Sequence, residues 1–377
     1  MSAVGYFNEI VTTDRRVREL GEQDRPIVGT MCNFPPDAVI LAAGAVPVRV
    51  DAGDFAAAGR AEEFIPRDVC PVCKSAAGLL AEREGIRGKL ALLVIPAVCD
   101  AKRKLPSVVN GVPVHVMQLP VSKRAPGAEH LWLSEVERLA ERVSEITRTK
   151  ADRPSLRAAV ERVNRRQRAF RGLLALRRPG ETKISGMDTS VVVAASFLDD
   201  IDRFTDQLER LVAELRNAPA LPDGPRLMVT GAPMIYPNVR LLGLVESMGA
   251  HVVADSTCSC TDRLYNPIVP QEWNLRELMR ASAENTLLPT TCPCFTDIDD
   301  RLNRVLHFVE EFGVQGVIYH NLRLCTLFQF ETNAVREALQ GSHVPVLELQ
   351  TDYSAEDTEQ IRTRLQAFLE MVVSRRD

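Results

Sequence analysis

Two blocks of alternating strand-like and helical segments constrain this chain more than any single motif does. Between residues 25 and 120 the apolar runs PIVGTMC, AVPVRVD, LALLVIPAVC and VPVHVMQLP are separated by the helical PPDAVILAAG and by a cysteine-bearing loop. From Gly224 the runs RLMVTGAP, HVVAD, GVIYH and VPVLELQ alternate with LLGLVESMG, with a helical stretch that carries cysteines near its end, and with FETNAVREAL. Strands alternating with helices imply βαβ units and parallel sheet. The middle of the chain reads differently. Residues 131–146 put Leu133, Val136, Leu139, Ala140 and Val143 on one helical stripe, and residues 155–175 and 203–215 also read as amphipathic helices, the first opened by Pro154. The expected layout is an N-terminal helical segment at 1–24, an α/β domain at 25–128, a helical region at 129–222 and a second α/β domain at 223–377.

The two α/β blocks look like versions of one plan. GAVPVRVD (residues 44–51) matches GAHVVAD (residues 249–255), each closing a helix and forming a strand that runs to an aspartate. Later in each block a hydrophobic strand runs into a cysteine, LLVIPAVC at Cys99 and GVIYHNLRLC at Cys325. The carboxyl ends of strands are where open α/β sheets bind ligands. The duplication therefore predicts that Cys99 and Cys325 occupy equivalent strand ends and face a shared cleft.

Bulk properties narrow the class. At 377 residues the chain exceeds one ordinary core. Its 45% apolar and 25% charged residues are those of a folded globular protein, and a net charge of −4 argues against a general nucleic-acid surface. No apolar run reaches the ~18 residues of a membrane span. MSAVGYFNEIVTTDRR has no apolar signal core, so a cytoplasmic location is expected.

In a reducing cytosol the nine cysteines point to metal binding or catalysis rather than disulfides. The competing reading is that they are small buried hydrophobes. Cys70 and Cys73 form a CxxC; Cys258 with Cys260 and Cys292 with Cys294 form CxC pairs. A compact zinc ribbon needs two close knuckles, whereas these pairs lie far apart in sequence. A thioredoxin-like reading uses one pair and leaves the other cysteines unexplained. An iron–sulfur cluster built on loops of both domains uses more of them, since thiolates are the usual cluster ligands.

Several stretches, in order, resemble one family: PPDAVILAAGAVPVRV, CPVCKS, VIPAVCDAKRK, CPCFTDIDDR, GVIYHNLRLC, VLELQTDYS and EDTEQIRTRLQAFLEM. Together they are similar to the 2-hydroxyacyl-CoA dehydratase and benzoyl-CoA reductase superfamily over nearly the whole chain. The resemblance implies an α/β fold of two flavodoxin-like parallel-sheet domains with a helical region between them and a cysteine-bound cluster in the inter-domain cleft. It also implies electrons delivered by a separate ATP-hydrolysing iron–sulfur activator. The chain has no G-x₄-G-K-[ST] phosphate loop, in keeping with nucleotide chemistry on a partner.

Two readings compete within the superfamily. In the first, a 4Fe–4S cluster held by Cys70 or Cys73, Cys99 and Cys325 serves a dehydratase or reductase subunit. That subunit works beside a second, related one, on a CoA thioester, through a ketyl radical. In the second, a homodimer carries an 8Fe–9S double cubane and reduces a small molecule. The extra cysteines look more like this branch, with Cys32, Cys70 and Cys99 expected on one cubane and Cys258, Cys294 and Cys325 on the other. The family often has Cys-Thr-Gly after the aspartate strand, whereas here Cys258-Ser259-Cys260 stands, so the ligating thiol of that pair is open. Cys73 and Cys292 are open in the same way.

Other residues carry paired readings. His320 is a hydrogen-bond donor or proton relay beside the cluster, or a structural histidine. Lys74 and the run Lys102, Arg103 and Lys104 offset cluster charge or dock an acidic partner, or are simply solvated. Arg165, Arg166 and Arg168 read as an exposed helical face, and Asp352 and Tyr353 as a structural turn.

Overall fold

In the computed structural model, which describes residues 3–13, 15–82, 85–257 and 261–375, all eight expected strands form. The first sheet contains β1 (Ile27–Thr30), β2 (Val46–Arg49), β3 (Leu90–Pro96) and β4 (Val114–Met117), ordered β2-β1-β3-β4. The second contains β5 (Arg226–Gly231), β6 (His251–Thr257), β7 (Gly316–Leu322) and β8 (Val346–Thr351), ordered β6-β5-β7-β8. Every neighbouring pair is parallel. These strands are legible as continuous apolar runs because a parallel sheet is covered on both faces. The matching orders make two flavodoxin-like units, and β3 and β7 hold the same place in their sheets. In each sheet the chain reverses direction between the two central strands, which opens a crevice at their carboxyl ends.

The helical layer packs on both sheets. The first part of helix Arg153–Ala175 places Leu156, Val160 and Val163 in the core that covers Val28, Leu92 and Val94 of the first sheet. Its later residues Phe170, Leu173 and Leu174 enter the core that covers Met228, Val253 and Val317 of the second. One long helix thereby fixes the two sheets with respect to each other. Helix Ala128–Thr147 carries the expected stripe, with Val136, Leu139, Ala140 and Val143 buried.

The loop expected between β2 and β3 contains two helices, Phe55–Ala61 and Pro71–Ala81. Their residues are so small that no apolar stripe stands out, yet Gly78 lets the helices nearly touch: a Cβ there would lie 1.8 Å from the Ala57 carbonyl oxygen. Helix Gly186–Ser196 is also additional to the sequence reading, since it is buried on nearly all sides and lacks periodic contrast. Arg166 departs from expectation outright. It is 4% exposed and donates from Nη2 to Asp37 Oδ2 at 2.9 Å, while its neighbour Arg165 pairs at the surface with Asp206 and Glu209. Among the described residues no helix is long and apolar enough to cross a membrane.

Candidate metal centre

Three cysteines stand at helix starts at the crevice. Cys70 caps Pro71–Ala81, with Pro71 at the first helical position where its missing N–H costs nothing. Cys99, just beyond β3, caps Asp100–Lys104, and Cys325, just beyond β7, caps Thr326–Gly341. Unpaired backbone N–H groups at a helix start favour negative charge. Accordingly the backbone N–H groups of Val72 and Cys73 help to lower the Cys70 thiol, and that of Lys102 helps to lower Cys99.

These thiols form a chain that joins the two halves. Cys70 is hydrogen-bonded to Cys325 and to Cys73, and Cys73 also to Cys99. The bonds from Cys325 and Cys73 hold Cys70 well below the ordinary thiol range despite burial. Cys99 falls to about 7, chiefly through its bond to Cys73. Cys73 is pushed up by the same two bonds and by burial, so it stays a protonated donor to its neighbours. An apolar wall of Ala58 and Val72 from the first half, with Ala232, Ile235, Leu322, Phe328 and Tyr353 from the second, packs around Cys70 and Cys325.

A second group lies alongside. Cys32 follows β1 in the left-handed region at φ 60°, which turns the chain sharply at the strand end. It packs with Cys292 and Cys294 against the core that contains Phe34 and Phe295. Cys292 is hydrogen-bonded to Cys294, which draws Cys292 down and Cys294 up, and burial pushes Cys32 up to about 12. Cys292 interacts electrostatically with both Cys32 and Cys99, so the two groups are contiguous. Cys258 lies outside the described residues. Among the described residues thiols of the two halves therefore adjoin, Cys325 with Cys70 and Cys292 with Cys32. Among the described residues no three His, Cys, Asp or Glu side chains gather as they would around a single ion. The donor chemistry, soft sulfur around a largely dry cleft, suits a polynuclear thiolate-bound cluster.

A buried charge network abuts the thiols. Asp51, beyond β2, accepts the Cys32 N–H at 2.6 Å through Oδ2 and lies 2.5 Å from Lys102 Nζ through Oδ1. Arg49 Nε reaches Oδ2 at 3.0 Å, and its Nη1 donates to Asn33 Oδ1 at 2.9 Å. Burial alone would raise the Asp51 carboxyl, but Lys102 and Arg49 outweigh it and hold it at about 2. Sequence reading singled out Lys102 only as one of a basic run and did not reach Arg49. The signal for Arg49 was present: an arginine at an inward position of the apolar strand VPVR. Lys74 is tied to Glu62 at 2.8 Å and to the Arg67 carbonyl at 3.2 Å, and Tyr353 donates to the Ala52 carbonyl at 3.2 Å, closing one half on the other.

His320 sits within β7, with both ring nitrogens engaged. One ring nitrogen, Nδ1, lies 3.0 Å from the Ala232 carbonyl oxygen and the other, Nε2, 2.7 Å from Thr351 Oγ1. The carbonyl can only accept, so Nδ1 carries the proton and Nε2 accepts from the threonine. Burial lowers the imidazole from 6.5 to about 4. Folded His320 is thus neutral where the unfolded residue becomes charged. Its stabilising contribution is complete above about pH 6.5, declines as pH falls towards 4, and is lost below that, on the order of 3 kcal/mol in all. Urea midpoints of the wild type and His320→Gln, measured across that window, are expected to converge as the solution is acidified; parallel curves would refute this.

With this geometry in view, comparison with known proteins is informative. A family model described as the D-component of 2-hydroxyglutaryl-CoA dehydratase matches residues 32–372. The chain belongs to that family. As a D-component relative it is 30% identical to the putative dehydratase subunit YjiM of Escherichia coli K12, over 94% of each chain. It is 22% identical to the beta subunit of (R)-2-hydroxyglutaryl-CoA dehydratase from Acidaminococcus fermentans, over 92% of this chain and 93% of the relative. The beta subunit of (R)-phenyllactyl-CoA dehydratase from Clostridium sporogenes is 21% identical over 97% of each. The family match places the chain in the superfamily that its motifs resemble, and the relatives are named as dehydratase subunits.

Proposed function

We propose that this D-component relative is an iron–sulfur reductase subunit whose thiol array holds a low-potential double cubane. The observation that carries the reading is the array itself: two contiguous groups of thiols, drawn from both halves, meet where paired parallel sheets open. Cys70, Cys99 and Cys325 would hold one part of the cluster. Cys32, Cys294 (with Cys292 as the competing sulfur of that pair) and Cys258 would hold the other. A bound cluster of this kind supplies single electrons at low potential. The protein's own residues set the conditions. Helix starts present N–H groups to sulfur, Cys73 donates to two of the thiolates, and the wall of Ile235, Leu322 and Phe328 limits water. An ATP-hydrolysing iron–sulfur activator would deliver the electrons, a second copy of the chain would complete a homodimer, and a small molecule would accept the electrons.

A second reading is favoured by the relatives' names and by the compactness of the Cys70, Cys73, Cys99 and Cys325 chain. In it the protein is the 4Fe–4S beta subunit of a 2-hydroxyacyl-CoA dehydratase, paired with a different subunit and acting on a CoA thioester. Iron and acid-labile sulfide measured on anaerobically prepared protein separate the two. The double cubane gives about eight irons per chain and the single cubane about four. A colourless protein without iron or sulfide would refute both.

A further inference from the structure

A cavity of about 560 Å³ lies where the loops after β2 and β5 meet helices Ala3–Thr12, Pro71–Ala81 and Gly186–Ser196. That volume is within the range of small-molecule sites, ~300–1,000 Å³. Its walls are mainly apolar and come from both halves and the helical layer, among them Val11, Leu79, Val193, Phe197, Ile235 and Tyr236. Leu79 and Ala194 of the lining are half-buried and pack into none of the hydrophobic cores, so the fold leaves their apolar surface to the cavity. Two lining residues also touch the surroundings of the thiols. Ile235 belongs to the wall around Cys70 and Cys325, and Asp51 accepts the Cys32 N–H.

The polar groups of the lining are already engaged within the protein. Thr12 Oγ1 donates to the Asn8 carbonyl at 2.7 Å, and Ser190 Oγ to that of Met187 at 2.7 Å. Asp54 accepts the Ala57 N–H at 2.8 Å, and Glu82 pairs with Arg60 at 2.5 Å. Arg49, the one cation of the lining among the described residues, contacts Asp51 and Asn33 and is covered by the Phe197 ring, 4.5 Å from its centroid. An anion entering this space would lose its water, face three carboxyl groups and find the cation already engaged, which is costly. An apolar molecule gains by leaving water for such a space.

We propose that this cavity binds a compact, uncharged, largely apolar molecule beside the thiol array. In the iron–sulfur reading, on which this step rests, it sets the class of small molecule that reaches the cluster.

The test uses full-length, anaerobically loaded protein and two probes that share a skeleton, the neutral N-phenyl-naphthylamine and the anionic anilinonaphthalene sulfonate. Binding is measured by equilibrium dialysis, with iron content determined on each sample. The neutral probe should bind at least about tenfold more tightly than the sulfonate. Ala194→Trp, which fills the space, should weaken the neutral probe by about tenfold or more at unchanged iron content. Leu79→Trp fills it from helix Pro71–Ala81 and decides the question if Ala194→Trp does not fold. In the reduced wild type the bound neutral probe should also alter the electron paramagnetic resonance spectrum of the cluster, since Asp51 borders both the cavity and the Cys32 turn. Equal affinity for the two probes, binding untouched by both substitutions, no binding at all, or a bound probe with an unaltered spectrum would overturn this inference alone. Wild-type protein without iron or sulfide would overturn the cluster reading, while dialysis would still decide whether the cavity takes the neutral probe.

Discussion

Cys325→Ala, prepared and loaded without oxygen, should retain about half of the wild-type iron or less, because thiolates are what hold such clusters. The substitution tests the cluster with little disturbance of the fold. Cys325 is only partly buried, and the bond that shapes its turn, from its backbone N–H to the Leu322 carbonyl at 2.9 Å, is one that alanine keeps. What alanine removes is the sulfur that meets Cys70 across the two halves. Cys73→Ala is the matched control. Cys73 is 2% exposed and acts as donor to Cys70 and Cys99, so its loss should leave the iron in place. Fewer hydrogen bonds to ligand sulfur should then lower the potential. Full iron content in Cys325→Ala would refute the assignment of Cys325 as a ligand.

The placement of Cys99 and Cys325 was legible because two independent signals agreed. Each follows an apolar strand, and each strand has a counterpart in the other half. That reasoning correctly equates β3 with β7. It does not reveal how the halves face each other. Internal duplication equates strand ends within the two sheets, whereas the neighbours Cys325 and Cys70, or Cys292 and Cys32, come from opposite halves. Cys32 meets Cys292 and Cys294, whose loop leads into helix Asp299–Glu311 of the second half. Sequence alone carries no term for that docking.

Helices were legible where they are amphipathic and illegible where they are buried all round or built from alanine and glycine. Helix Pro71–Ala81 shows the cost. Its sequence PVCKSAAGLLA has no polar face to mark it, so Cys70 and Cys73 read as loop residues rather than as a cap and the residue one turn beyond. Arg166 shows the reverse error. Its position was readable, since it falls three residues after Val163 and four before Phe170, on the buried stripe. Its residue type argued for solvent, and the strength of that prior concealed a buried ion pair.

Asp37→Ala should destabilise the protein by about 3–5 kcal/mol, the range for breaking a buried ion pair from one side. Asp37 begins helix Asp37–Ala42 in the first half. Its Oδ2 accepts from Arg166 Nη2 of the helical layer at 2.9 Å and from Arg263 Nε of the second half at 3.2 Å, and its Oδ1 pairs with Arg263 Nη2. One carboxylate thus holds three parts of the chain together. Both guanidiniums already have buried nitrogens without a hydrogen-bond partner, Arg166 Nε and Arg263 Nη1, and burial draws both groups down to about 10. Removing the carboxylate leaves two buried cations without an ion-pair partner among the described residues, so the loss greatly exceeds that of an ordinary contact. Arg165→Ala supplies the contrast one residue from Arg166: its pairs with Asp206 and Glu209 are solvent-exposed and should contribute no more than about 1 kcal/mol. Urea unfolding of both variants, at unchanged slope, should show a midpoint shift several times larger for Asp37→Ala. Equal shifts would mean that the carboxylate does not join the two sheets through Arg166 and Arg263.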